Sequence, residues 1–351
     1  MKTLLRLLLK SQHQRNLSGP PQTDKGMTLV ELLVGSIMAF LIITPMPGFV
    51  VDMLNTDRRE QVKTNTEQDI QSALDFIAQD LSQAIYIYDN NTIYNAAPDG
   101  TPGIRNQLPS PGGGTPILVF WKRQQIREAV SVNTVNRVLP IDCGPTNCND
   151  TYVRSLVAYY VVETNPNSIW CQPSGATCPS RIERYEIREG VRNPGSTTPA
   201  TSYYNNTEVK PGQEVSRAFN SNFDFSQPRR NVTTPAGLIN LIPQVLVNYI
   251  DHTGGPPSDP QECEKALGNP TATVPGQLAP VAVLEPTLRV SNQVNSFYAC
   301  VDTARNLARV TIRGNSLRRL QDSDVVFSAN NNSAFFPTAT VQVQGRGVLG
   351  N

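Results

Sequence analysis

The residues with the most legible chemistry form one short run, Lys25-Gly26-Met27-Thr28-Leu29-Val30-Glu31. Glu31 is the single charge in an apolar stretch covering residues 27–51. A carboxylate in apolar, lipid-like surroundings costs roughly 2.5–3.5 kcal/mol on insertion scales, so it calls for a partner. Hydrolysis of the peptide bond between Gly26 and Met27 would create one. The freed α-amino group of Met27, placed on a neighbouring copy opposite Glu31, offsets two desolvation costs and sets the axial register between copies.

The cysteines are the next set. Cys143 and Cys148, and Cys171 and Cys178, are close pairs in turn-forming sequence, with Cys263 and Cys300 left over. Several connectivities remain open, but the close pairs suit small disulfide loops in an oxidising compartment. Zinc would want tighter spacing and histidine, and no metal is expected.

Catalytic chemistry is poorly represented. Beyond residue 26 the chain holds one histidine, His252, in a Pro/Gly loop. It contains neither a Gly-Lys-Ser/Thr phosphate loop nor a Gly-x-Ser-x-Gly elbow, so no enzyme and no cofactor are expected. Asp142, Asp150, Asp322 and Asp324 fit no calcium-loop template and read as solvated turns. The tyrosine pairs 86/88, 159/160 and 203/204 read as packing residues, because neighbours on a strand face opposite sides and make no one-sided stacking platform. Arg229, Arg230, Arg313, Arg318 and Arg319 read as a charged surface.

These residues must be positioned by a long helix. From Met27 onward about two dozen apolar residues rise ~1.5 Å each, enough to cross a bilayer core. The five bases and one acid of residues 1–26 precede that span, which puts the N-terminus in the cytoplasm and the bulk of the chain outside. An ordinary secretory signal fits poorly, since the acid lies inside the apolar run and no small-x-small site follows it. Pro45, Pro47 and Gly48 predict a kink near the outer end. Residues 52–67 are almost wholly polar, whereas Ile70, Ala73, Leu74, Ile77, Ala78, Leu81, Ala84 and Ile85 form an apolar stripe. Helix is therefore expected as far as residue 89, up to ~60 residues or ~90 Å if continuous.

The remainder, 90–351, reads as a β-rich head. Strands are expected at 117–122, 152–162, 181–188, 241–250, 281–290, 297–301, 308–313 and 338–344. The polar segments 190–235 and 252–278 read as surface insertions or disordered loops. The 28 prolines and 23 glycines agree with a loop-rich β domain. Formal charge is +1, and becomes about −3 once residues 1–26 are removed, so no basic footprint for nucleic acid is present.

The run Gly26-Met27-Thr28-Leu29-Val30-Glu31 behind a basic leader resembles the class III signal of type IV pilins and pseudopilins. Residues 73–81, 157–162, 184–188 and 308–314 are similar to the larger minor pilins and pseudopilins of the PilW and GspJ kind. Length, leader and Asn/Pro-rich loops also resemble pseudopilins of cyanobacterial hormogonium polysaccharide secretion. The resemblance implies an α+β type IV pilin fold, a long N-terminal helix packed on an antiparallel sheet. It divides the chain into a prepilin leader (1–26), an assembly helix (27–51), an amphipathic half (52–89) and a head (90–351). It also implies cleavage after Gly26 by a prepilin peptidase, N-methylation of Met27, and an assembly role for Glu31. Implied partners are other pilins, an inner-membrane assembly platform and the membrane itself. The place implied is a single-pass protein of the inner membrane with a periplasmic head, assembled into a filament of a pilus or secretion system. The alternative is a membrane-anchored adhesin whose loops bind glycan.

Overall fold

The computed structural model describes residues 26–109, 113–133, 135–175, 177–198, 202–216, 219–222, 224, 226–230, 232, 243–252, 259–273, 276–291, 295–323 and 325–346. Residues 1–25 of the expected leader, parts of both long loop segments and Asp324 lie outside these. The chain divides into two units, one ending at Asp57 and the other beginning at Arg58.

In the first unit α1 (Leu29–Ile43) is followed by a turn at Thr44-Pro45, and α2 (Met46–Leu81) begins there. The expected break is present. Pro45 has no N–H to continue α1, while its carbonyl accepts from Phe49 N at 3.2 Å and opens α2. Pro47 falls in the first turn of α2, where a missing N–H leaves no intrahelical bond unmade. Every residue from 26 to 57 is exposed.

The second unit is α+β. The rest of α2 belongs to it, followed by β1 (Ala84–Ile87), α3 (Asn90–Tyr94), β2 (Thr115–Ser131), β3 (Cys148–Glu163), β4 (Ser180–Arg188) and β5 (Gln244–Ile250). Then come α4 (Glu262–Ala266), β6 (Thr271–Ala272), β7 (Val281–Ala282), α5 (Glu285–Leu288), β8 (Arg289–Ser291), β9 (Phe297–Asp302), β10 (Leu307–Arg313) and β11 (Thr338–Gln344). An antiparallel meander runs β1-β2-β3-β4-β5, a second sheet runs β11-β10-β9-β8, and β6 pairs β7.

The helical stripe drives the packing. Ile70, Ala73, Leu74, Ile77 and Leu81 recur on one face of α2 and all are buried. Gly314, just after β10, lets the chain pass close: a Cβ there would stand 2.6 Å from Ile70 Cδ1 and 2.7 Å from Thr66 Cγ2. In β2 the run Ile117-Leu118-Val119-Phe120-Trp121 is buried throughout, so this sheet is covered on both faces. Phe120 stacks on Tyr159, while Trp121 meets Phe219 edge-on at 5.8 Å. Phe219 and Val232 come from the segment read as surface loop. Its described residues Val191, Tyr204, Val209, Phe219 and Val232 are buried, so it contributes core.

Two further readings are corrected. Helix was expected to residue 89, yet α2 ends at Leu81 and Ala84–Ile87 pair with β2 instead. Ala84 and Ile85 fit both periods, and an open edge on β2 decides between them. The strand expected at 281–290 is two short strands around α5, because Pro286 suits a first helical turn and cannot donate to a ladder. Replacing Ile77 by Ala is expected to cost the second unit about 2–5 kcal/mol, read as a lower urea midpoint by fluorescence of the buried Trp121.

Candidate functional site

The first residues of α1 form a capping box. Thr28 stands in extended conformation before the helix, and its Oγ1 accepts from Glu31 N at 3.3 Å. Thr28 N and Thr28 Oγ1 in turn donate to Glu31 Oε2 at 3.2 and 3.1 Å. Between them the two side chains satisfy the amides of Thr28 and Glu31, which have no intrahelical partner, and the acid sits at the positive end of the helix dipole. Thr28-x-x-Glu31 ahead of an apolar run is a capping signature, a local role for Glu31 beside the one expected of its charge. Gly26, Met27 and Glu31 are exposed, as are the apolar side chains after them: Leu29 is 84% and Phe40 70% accessible. The helical stretch within Leu29–Leu81 is long and apolar enough to cross a membrane.

A second acid, Asp80, lies at the other end of α2, in the second unit. Its Oδ1 accepts from Lys122 Nζ of β2 at 2.8 Å. Its Oδ2 accepts from Arg184 Nε of β4 and from Tyr159 Oη of β3, both at 2.7 Å. Glu186 completes the group, accepting from Arg184 at 2.9 Å and lying 3.8 Å from Lys122 Nζ. Burial would raise the Asp80 carboxyl, but the Lys122 ammonium and the Arg184 guanidinium outweigh it and hold it below its ordinary value. Glu186 is lowered by the same two cations against the same burial. Burial, with the Asp80 charge beside it, pushes the Tyr159 phenol well up. This is an anchor joining one helix to three strands and is unsuited to proton transfer, because the strongly paired charges are held in one state. Sequence order gave no signal for it, since its members come from four elements.

The six cysteines form Cys143–Cys148, Cys171–Cys178 and Cys263–Cys300. The last joins α4 to β9 across 37 residues, a loop whose closure is worth ~4 kcal/mol, against ~2 for the short ones. Arg318 was read as surface charge but is wholly buried. Its guanidinium donates to the carbonyls of Pro173, Thr177 and Gln321, holding the Cys171–Cys178 loop. Arg313 pairs with buried Asp251 at 2.7 Å and Arg319 with Asp69 of α2. Tyr88, Tyr159 and Tyr160 are fully buried, which leaves no stacking platform among them. Asp150 accepts from Glu128 N at 2.9 Å and from Gln125 Nε2 at 2.7 Å. Among the described residues no three His, Cys, Asp or Glu side chains are grouped to share a metal ion.

No protein-family model, curated protein or solved structure matches this chain.

Asp80→Ala leaves two buried cations with Glu186 as their one remaining carboxylate and is expected to destabilise the second unit by up to about 3–5 kcal/mol. Because the Asp80 and Glu186 carboxyls are lowered on folding, their contribution is complete above the unfolded-state values near ~4 and is lost as pH falls below them. The urea midpoint is therefore expected to drop on acidification through that window, with a shallower drop in Asp80→Asn.

Proposed function

We propose that this chain is a minor pilin- or pseudopilin-type subunit, cut after Gly26 and built into an inner-membrane-derived filament through its N-terminal apolar helix. One observation carries the reading: α1 and the start of α2 expose apolar side chains as far as Leu54 and bear a single acid before Asp52, in the first turn of α1. A lipid bilayer covers such a surface before assembly, and identical or similar helices cover it afterwards. The freed Met27 amine of a neighbour then meets Glu31, whose Oε1 makes none of the capping bonds.

The supporting features sit in the second unit. The amphipathic half of α2 packs on an antiparallel sheet, and the three disulfides suit an oxidising, periplasmic side. Cleavage is assigned to a prepilin peptidase and assembly to an inner-membrane platform with other pilins. Loops of this size fit the tip or the initiating complex better than a repeating shaft, in a pilus or in a secretion system that exports polysaccharide.

One observation favours a second reading, a membrane-anchored glycan-binding module. An open cleft of about 320 Å³ is lined by Asp99, Thr101, Ser226, Gln227, Arg229 and Arg230, hydroxyl, amide and guanidinium groups suited to sugar hydroxyls. In that case the full chain should bind a surface glycan, Arg230→Ala should abolish binding, and changes at Glu31 should leave it intact.

Glutamine can replace glutamate in a capping box, which separates the two roles of Glu31. Glu31→Gln keeps the cap and removes the charge, so it is expected to abolish filament incorporation while the second unit keeps its urea midpoint. Thr28→Ala removes the cap and keeps the charge, and is expected to weaken incorporation only mildly. The reverse order would make Glu31 a cap and nothing more. Mass spectrometry of the mature protein is expected to find methylated Met27 at its N-terminus; a mature chain beginning elsewhere sinks the filament reading.

A further inference from the structure

Sheet edges expose unpaired N–H and C=O groups that invite another strand, and edges that must stay free are usually short, charged, bulged or covered. The two larger sheets have four edges: β1 and β5, and β8 and β11. Three are blunted. β1 has four residues and loses register between Ala84 and Tyr86. β8 has three residues and begins on Arg289. β5 shifts register twice against β4 and holds Tyr249 at a φ of 59°.

β11 has none of these protections. Its seven residues, Thr338-Ala339-Thr340-Val341-Gln342-Val343-Gln344, include no charge, proline or glycine. They pair with β10 without a register break, from Gln344 opposite Leu307 to Thr338 opposite Arg313. Among the described residues β10 is its only strand partner, and no residue of β11 is fully buried.

We propose that the free edge of β11 is an interaction surface for β11 of a second copy of this chain, antiparallel and centred on Val341. The polar and apolar residues read the same in both directions. Pairing about Val341 sets Ala339 against Val343, Thr340 against Gln342 and Thr338 against Gln344. Ala339, Val341 and Val343, which pack on the core, then stay on the core-facing side of a continuous eight-stranded sheet, with hydroxyl and amide groups on the other. A slip of one residue would turn the apolar set of one copy outward, and a slip of two would leave two residues of each strand unpaired, so the centre at Val341 is the register that pairs all seven. Arg346 falls opposite Phe336 rather than another Arg346, so no like charges meet. The contact is isologous and stops at two copies, because pairing consumes both edges. It involves residues of the second unit alone and goes beyond the filament reading.

The test uses the full chain in detergent, whose native cysteines are all in disulfides. Differently tagged T338C and Q344C chains, mixed under mild oxidation, are expected to form a disulfide-linked pair. T338C mixed with itself should form none, because in this register its copies stand six residues apart, ~20 Å. Adding T340K and Q342K, both exposed positions, opposes lysines across the edge and is expected to abolish the link while the second unit stays folded, its urea midpoint lowered only slightly, by loss of the 3.0 Å bond between the Thr340 and Thr311 hydroxyls. No link in the T338C and Q344C mixture, equal linking in both mixtures, or linking that survives the lysines overturns the proposal. The first of these outcomes leaves the edge to a strand of another protein or to solvent.

Discussion

A buried carboxylate without water must be met by opposite charge and hydrogen bonds, and Asp80 is where this protein meets that requirement. Lys122, Tyr159 and Arg184 reach it from three adjacent strands, so one side chain fixes α2 against β2, β3 and β4 together. The apolar stripe of Ile70, Leu74, Ile77 and Leu81 supplies the driving force, which is non-directional. The charged cluster adds direction. A helix slid by one turn would keep much of its apolar contact but leave Asp80 unpaired and two cations with Glu186 alone, and that difference selects a single arrangement.

Glu31 and Asp80 show the same physics in two settings. Asp80 finds its counter-charges within its own unit, so its pairing is complete. Glu31 stands in apolar sequence where every neighbour is exposed, and among the described residues its carboxylate meets only the Thr28 amide and hydroxyl. Capping satisfies hydrogen-bonding capacity without neutralising charge. A carboxylate capped but not neutralised, in an apolar run, is the group that the filament proposal pairs with the freed Met27 amine of a neighbour. On that asymmetry the filament reading rests.

The second unit also handles its irregular chain by burying it. The described parts of segment 190–235 bury Phe219 against Trp121, and Tyr204 in a separate cluster with Ile126 and Val153. Glu189 gathers Arg154, Arg192 and Tyr203 there, and its carboxyl is lowered by the Arg154 guanidinium despite burial. Arg318 does the equivalent for the Cys171–Cys178 loop through carbonyl oxygens and Cys171 Sγ. Long polar connections are thus tied down by buried ions as well as by apolar side chains.

What was legible in the sequence was whatever repeats at short range. The apolar run at 27–51, the break at Pro45, the three- and four-residue stripe of α2, the alternation of 338–344 and the α+β class all follow from local periodicity and turn chemistry. The close cysteine pairs were legible for the same reason, as was the isolation of Glu31. Tertiary structure alone decided the rest, because it depended on which distant residues came together. Ala84–Ile87 became strand only because β2 offered an edge. Arg313, Arg318 and Arg319 looked like surface charges until Asp251, three carbonyls and Asp69 were brought to them. Asp80 is ordinary on a helix until three strands converge on it, since desolvation and counter-charge are properties of a place in space.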